Sequence, residues 1–106
     1  MKLKDALVNK KFVVTSEIQP PIDEIPENIV KRLDRVRGRV DGVAVSELDI
    51  EGIVTDTVKT CALLMENDFD AISQTMTRGK NRLEIQKDLI RAHETGVENL
   101  LVCFDR

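Results

Sequence analysis

Four short apolar runs recur along the chain at 12–15 (FVVT), 43–45 (VAV), 71–74 (AISQ) and 100–104 (LLVCF). Their spacing of roughly 25–30 residues constrains the fold more than any other feature, because it leaves room for one helix between each pair of strands. The runs are nearly continuous rather than alternating, which predicts strands covered on both faces, as in a parallel sheet. Between them the apolar residues take a helical period. Pro26 suits a first helical turn, Ile29, Leu33 and Val36 share one face, and Gly38 stands where a stop is expected. Thr55 or Asp56 can cap a second helix carrying Val58, Ala62, Leu63 and Met65. A third spans about residues 81–95, with Leu83, Leu89, Ile90 and Ala92 inward and Gly96 at its end. The opening MKLKDALVNK reads as a short extra helix with Leu3, Ala6 and Leu7 on one side.

The expected fold class is therefore α/β, with four parallel strands alternating with helices behind a short N-terminal helix. A small open doubly wound sheet or one half of a TIM (βα)8 barrel would accommodate this order. A complete barrel takes about 250 residues, so four steps in 106 residues fit half of one. Residues 1–106 form a single domain in this reading, and the chain ends in its fourth strand.

Composition narrows the function classes. Apolar residues make up 42 % and charged residues 33 %, the balance of an ordinary folded protein rather than a disordered one. No apolar run is long enough to span a membrane, and no signal-peptide core follows Met1. A net charge of −3 gives no reason to expect nucleic acid, and three Phe with no Tyr or Trp leave few stacking platforms. Cys61 and Cys103 lack CxxC spacing, and His93 is the lone histidine, so no metal site is expected. The cysteines read as buried free thiols in a cytoplasmic protein.

In either architecture the C-terminal ends of parallel strands form the functional face. Polar residues gather there in this sequence: Ser16, Glu17 and Gln19 after the first run, Ser46-Glu47-Leu48-Asp49 after the second, Gln74 to Arg78 after the third, and Asp105-Arg106 after the fourth. Glu17 has two readings, a surface carboxylate at the start of a loop or a general acid. A carboxyl in an apolar mouth holds its proton at neutral pH, and Pro20 and Pro21 would stiffen the loop that carries it. Arg78, Lys80 and Arg82 flank Gly79 at a helix start, which is either a solvated basic loop or a phosphate site. Neither GxGxxG nor GxxxxGK[ST] is present. His93 falls on the third helix, away from the strand ends, and is read as structural or surface.

The segments FVVTSEIQPP, DGVAVS, SQTMTRGKNRLEIQKDL and GVENLLV, in this order and spacing, resemble the N-terminal half of 5,10-methylenetetrahydrofolate reductase over essentially all 106 residues. That family is a (βα)8 barrel that binds FAD at the strand ends and passes hydride from NADH or NADPH to methylenetetrahydrofolate. The resemblance implies a role for Glu17 as the acid that protonates folate. It places Ser46 near flavin and nicotinamide, and Gln74 and Arg78 at the cofactor. Where the family carries Gly-Asp after the fourth strand, this chain reads Asp105-Arg106, which makes Asp105 the candidate for the flavin-proximal aspartate. Strands five to eight of the family have no counterpart in these residues. The open half is therefore expected to be completed by a second copy of the chain or by another polypeptide, or to flatten into a small open sheet. The alternative function is a non-catalytic half-barrel subunit or diverged relative that binds flavin or a partner chain; a more distant one is a half-barrel enzyme subunit holding a phosphorylated ligand at the basic loop.

Overall fold

A computed structural model describes residues 2–9, 12–19 and 26–104. Pro20, Pro21, Asp105 and Arg106 lie outside the described residues, so the loop stiffening and the flavin-proximal aspartate expected of them have no structural counterpart here.

Four strands, β1 (Thr15–Ile18), β2 (Gly42–Val45), β5 (Ala71–Met76) and β6 (Asn99–Cys103), form one parallel sheet in the order β1-β2-β5-β6. Each strand pairs with the one before it, so the chain winds in one direction. The intervening helices are α2 (Pro26–Leu33, extended by a 3-10 turn at Asp34–Val36), α3 (Thr57–Glu66) and α4 (Arg82–Thr95). All three lie on the same face. Ile29 and Leu33 of α2, Val58, Cys61 and Leu64 of α3 and Ala92 of α4 enclose Val43, Val45 and Ala71 in a single apolar core. A doubly wound sheet would divide its helices between two faces. This arrangement is singly wound and compatible with half a barrel.

Among the described residues, the opposite face is covered at its N-terminal end alone. There α1 (Leu3–Asn9) sets Leu3 on Ala44 and Ile72, with Val13 beside them. The helix is tied down by the Leu3 backbone N–H, which donates to Asp70 Oδ2 at 2.5 Å, and by a Lys2–Glu98 ion pair at 2.6 Å. Ala6 is fully buried, but Leu7, expected on the same inward side, is 63 % exposed.

Three expectations shift. The first strand starts at Thr15, not Phe12, because its partner β2 begins only at Gly42, level with Thr15. Before that point Asp41 meets the chain, accepting from the Val14 N–H at 3.0 Å and donating its own N–H to the Val14 carbonyl at 2.7 Å. Phe12 is left exposed, and Glu17 sits inside the strand rather than after it. Second, a small antiparallel hairpin, β3 (Asp49–Ile50) and β4 (Ile53–Val54), follows β2. Glu51 and Gly52 both have positive φ (53° and 86°), the two-residue turn that matches strand twist, and the Gly52 N–H donates to Asp49 Oδ1 at 2.9 Å. Third, Leu83, Leu89 and Ile90 are exposed on α4, and Ala92 alone of the expected four turns inward.

The helix ends agree with the sequence. Asp56 caps α3 by accepting from the Lys59 N–H, and Asn81 caps α4 by accepting from the Glu84 N–H. Gly96 closes α4 in the left-handed conformation.

Candidate functional site

Side chains alternate between the two faces of a strand. Ser46 follows Ala44, and Gln74 follows Ile72, by two residues, so both belong to the face that α2–α4 leave uncovered. Glu17 pairs with Ala44 and shares that face. All three stand toward the C-terminal ends of their strands.

They are hydrogen-bonded into one diagonal row. Ser46 lies just past β2, held in the ladder by its N–H on the Ile18 carbonyl at 3.0 Å, and its hydroxyl donates to Glu17 Oε1. The next N–H along, that of Glu47, donates to Gln74 Oε1 at 3.2 Å. Gln74 Nε2 in turn donates to Cys103 Sγ at 3.5 Å, at the end of β6. The row steps up one strand at a time, from Glu17 on β1 through β2 and β5 to Cys103. Ser46 is fully buried and Gln74 is 7 % exposed, whereas Glu17 is exposed. These four strands thus give Glu17 a fixed hydrogen-bond partner but not the apolar surround that a general acid asks for.

The other side of the same strand ends carries a second polar group. Glu47 turns to the helix face, 7 % exposed, and meets Lys80 Nζ at 2.6 Å through Oε1 and 2.8 Å through Oε2. Lys80 also meets Asp88 Oδ2 of α4 at 2.9 Å. Burial pulls the Lys80 ammonium toward neutrality, but the two carboxylates outweigh it and hold its pKa above the ordinary value. The Met76 N–H reaches Glu47 Oε1 at 3.4 Å. Beneath, Thr57 and Ser73 share a hydrogen bond of 3.0 Å, lining a cleft of about 430 Å³ between α3 and α4.

Of the residues singled out from the sequence, Glu17, Ser46 and Gln74 come together. Arg78 is exposed on the turn after β5, its backbone N–H donating to the Phe104 carbonyl at 3.2 Å. The three cations of the basic loop do not act alike, since Lys80 is turned inward and already bound by two carboxylates. His93 is exposed on α4. Cys61 is fully buried, and burial pushes its thiol up to about 12 in spite of a Ser73 hydrogen bond. Cys103 is only half-buried and belongs to the rim, a place that sequence reasoning did not give it. The Glu47–Lys80–Asp88 cluster was also missed. Its signal was there: Glu47 directly follows an apolar strand at the parity of Val43 and Val45, which aims it at the helices.

Comparison with protein-family models gave no match, and no curated protein matches the chain.

Proposed function

We propose that this chain is one wall of a flavin-dependent oxidoreductase of the methylenetetrahydrofolate reductase type, with its site on the row from Glu17 to Cys103. The observation that carries this reading is the hydrogen bond from Ser46 to Glu17, one residue before the Glu47 N–H that meets Gln74, on the face that α2–α4 do not cover. The groups at hand suit a heteroaromatic ring bearing phosphate: Gln74 supplies an N–H donor and Arg78 a cation at the neighbouring turn, while the Ser46 hydroxyl is spent on orienting Glu17. A bound FAD would supply hydride transfer from NADH or NADPH to the folate substrate. The chain's own part is proton delivery. The Ser46 hydroxyl, donating to Oε1, orients the Glu17 carboxyl that would hand a proton to a folate nitrogen.

The opposite wall is supplied by a second copy of this chain or by another polypeptide, which also dries the surroundings of Glu17. Among the described residues no helix is long and apolar enough to cross a membrane. Two free thiols suit a reducing compartment, the cytoplasm.

The test is to purify the chain, add FAD, and follow both half-reactions. Glu17→Gln should leave flavin reduction by NADH or NADPH unchanged and slow reoxidation by methylenetetrahydrofolate by roughly 100-fold or more, the usual weight of a general acid. Equal loss of both halves, or none, would remove the proton-donor role. The exposure of Leu101 (46 %) and Val102 (61 %) on β6 favours a second reading, a half-barrel subunit that binds flavin or a partner and does no chemistry alone. Uptake of FAD with neither half-reaction supports that reading.

A further inference from the structure

The two polar groups on opposite faces of the sheet are joined through one residue. Glu47 sends its carboxylate to the helix face and its backbone N–H to the open face, where that N–H meets Gln74 Oε1. A backbone N–H can meet only an acceptor, so the orientation of the Gln74 amide is decided: oxygen toward Glu47, nitrogen toward β6 and the open face. One Nε2 proton lies on Cys103 Sγ, and the amide nitrogen carries a second.

What holds Glu47 in place is on the far side. Its carboxylate is 9 % exposed and bound by Lys80, itself 13 % exposed and braced by Asp88. Lys80 stands on the turn between β5 and α4, its N–H closing that turn on the Thr77 carbonyl at 3.2 Å. The ion pair therefore clamps the end of β2 to the end of β5, the strand that carries Gln74. Without Lys80, the Glu47 carboxylate would be a buried charge facing only the long Met76 N–H contact. Such a charge turns toward water, and its backbone moves with it.

We propose that the Glu47–Lys80 pair is a positioning device for Gln74, and that it commits the rim at this point to a ligand atom that accepts a hydrogen bond, such as a ring carbonyl or an unprotonated ring nitrogen. A protonated ring nitrogen would meet a donor and be rejected. The inference deepens the flavin reading and rests on it only for the ligand's identity. The amide geometry stands by itself.

Nuclear magnetic resonance separates the two. In the wild-type chain the Glu47 amide ¹⁵N should show a through-hydrogen-bond coupling to the side-chain ¹³Cδ of Gln74, and the Gln74 NH₂ protons should be well dispersed. Lys80→Met should abolish the coupling and collapse the NH₂ shifts toward random-coil values, and Lys80→Arg should restore both. Because a stranded carboxylate can unfold the domain, the double variant Glu47→Leu/Lys80→Met removes both charges together and should lose the coupling while keeping the fold. Absence of the coupling in the wild type, or its survival in a folded variant without the ion pair, overturns the proposal. FAD titration of the same samples reads the ligand side. Loss of one well-placed hydrogen bond weakens uptake by about fivefold to tenfold. Wild-type protein that shows the coupling but takes up no FAD sinks the flavin reading and leaves the positioning device supported.

Discussion

Asp56 does two jobs with one carboxylate. Its Oδ1 accepts from the Lys59 N–H at 3.1 Å, capping α3, and the Arg91 guanidinium of α4 reaches both oxygens, at 2.9 and 2.6 Å. Partial burial pushes its pKa up, but Arg91 and the Lys59 N–H overcome this and bring it below the ordinary value. A carboxylate whose pKa is lowered by folding stabilises the folded state above its unfolded-state value of about 4, and that contribution vanishes as pH falls through the folded value. Asp56→Ala should therefore cost about 1–2 kcal/mol at pH 7, most of it from the cap, since the ion pair is exposed enough for water to screen it. Asp56→Asn keeps the cap and should cost less than about 1 kcal/mol. Urea denaturation at pH 7 and at pH 3 checks both the size and the sign: the gap between wild type and Asp56→Ala should shrink at pH 3. A gap that widened in acid would mean the carboxylate is not held ionised by its partners.

At the scale of single elements, α4 is fixed by its ends. Gly96 has φ +96°, its N–H donates back to the His93 carbonyl at 3.1 Å, and an added Cβ would meet nothing within 4 Å. Gly96→Ala should cost about 1 kcal/mol through backbone strain alone, read as a fall in Tm of about 4–8 °C. A neutral substitution would mean that the turn after α4 re-forms without the left-handed residue. The Asp56 cap and the Gly96 stop were legible in the sequence because they are local, acting on backbone groups three or four residues away. Parallel pairing was legible too, since helices between short apolar runs leave few alternatives, but the order of the strands was not, because an open doubly wound sheet and half a barrel share the same alternation. What failed was what depends on a neighbour. The start of β1 is set by where β2 begins, 27 residues further along, and no local pattern in FVVT records that. Leu83, Leu89 and Ile90 have the helical spacing of a buried face, but the described residues offer them no surface to pack on. At the site, the parity of Glu17, Ser46 and Gln74 could be read from the strands. The Glu47–Lys80 contact joins positions 33 apart, on a turn whose charges look solvated in sequence.

At the scale of the whole fold, the described residues form an α/β layer with one face covered by helices and the other largely uncovered. Helices α2–α4 close one side, whereas beyond α1 the other side shows a hollow of about 770 Å³ bordered by Leu7, Val13, Ala44, Ile72 and Leu101. Among the described residues, both outer strands, β1 and β6, have a sheet neighbour on one side. A two-fold axis along the strand direction would set a second copy with its strands parallel to the first, β6 of each beside β1 of the other, and would close eight strands with no edge left over. The apolar surface removed from water, at about 25 cal/mol per Å², is the driving force for such closure, and Leu101 stands in its path, on the open face and level with Gln74. Leu101→Lys places a charge where a second copy would pack, and should weaken such association by about 100-fold or more, as loss of a central apolar anchor does. Sedimentation velocity gives the outcome directly: the wild type should run at twice the chain mass at micromolar concentration, and Leu101→Lys at the single-chain mass with its circular dichroism unchanged. A wild-type chain that sediments as a folded single copy, with Leu101→Lys no different, would remove closure by a second copy and favour a small open sheet.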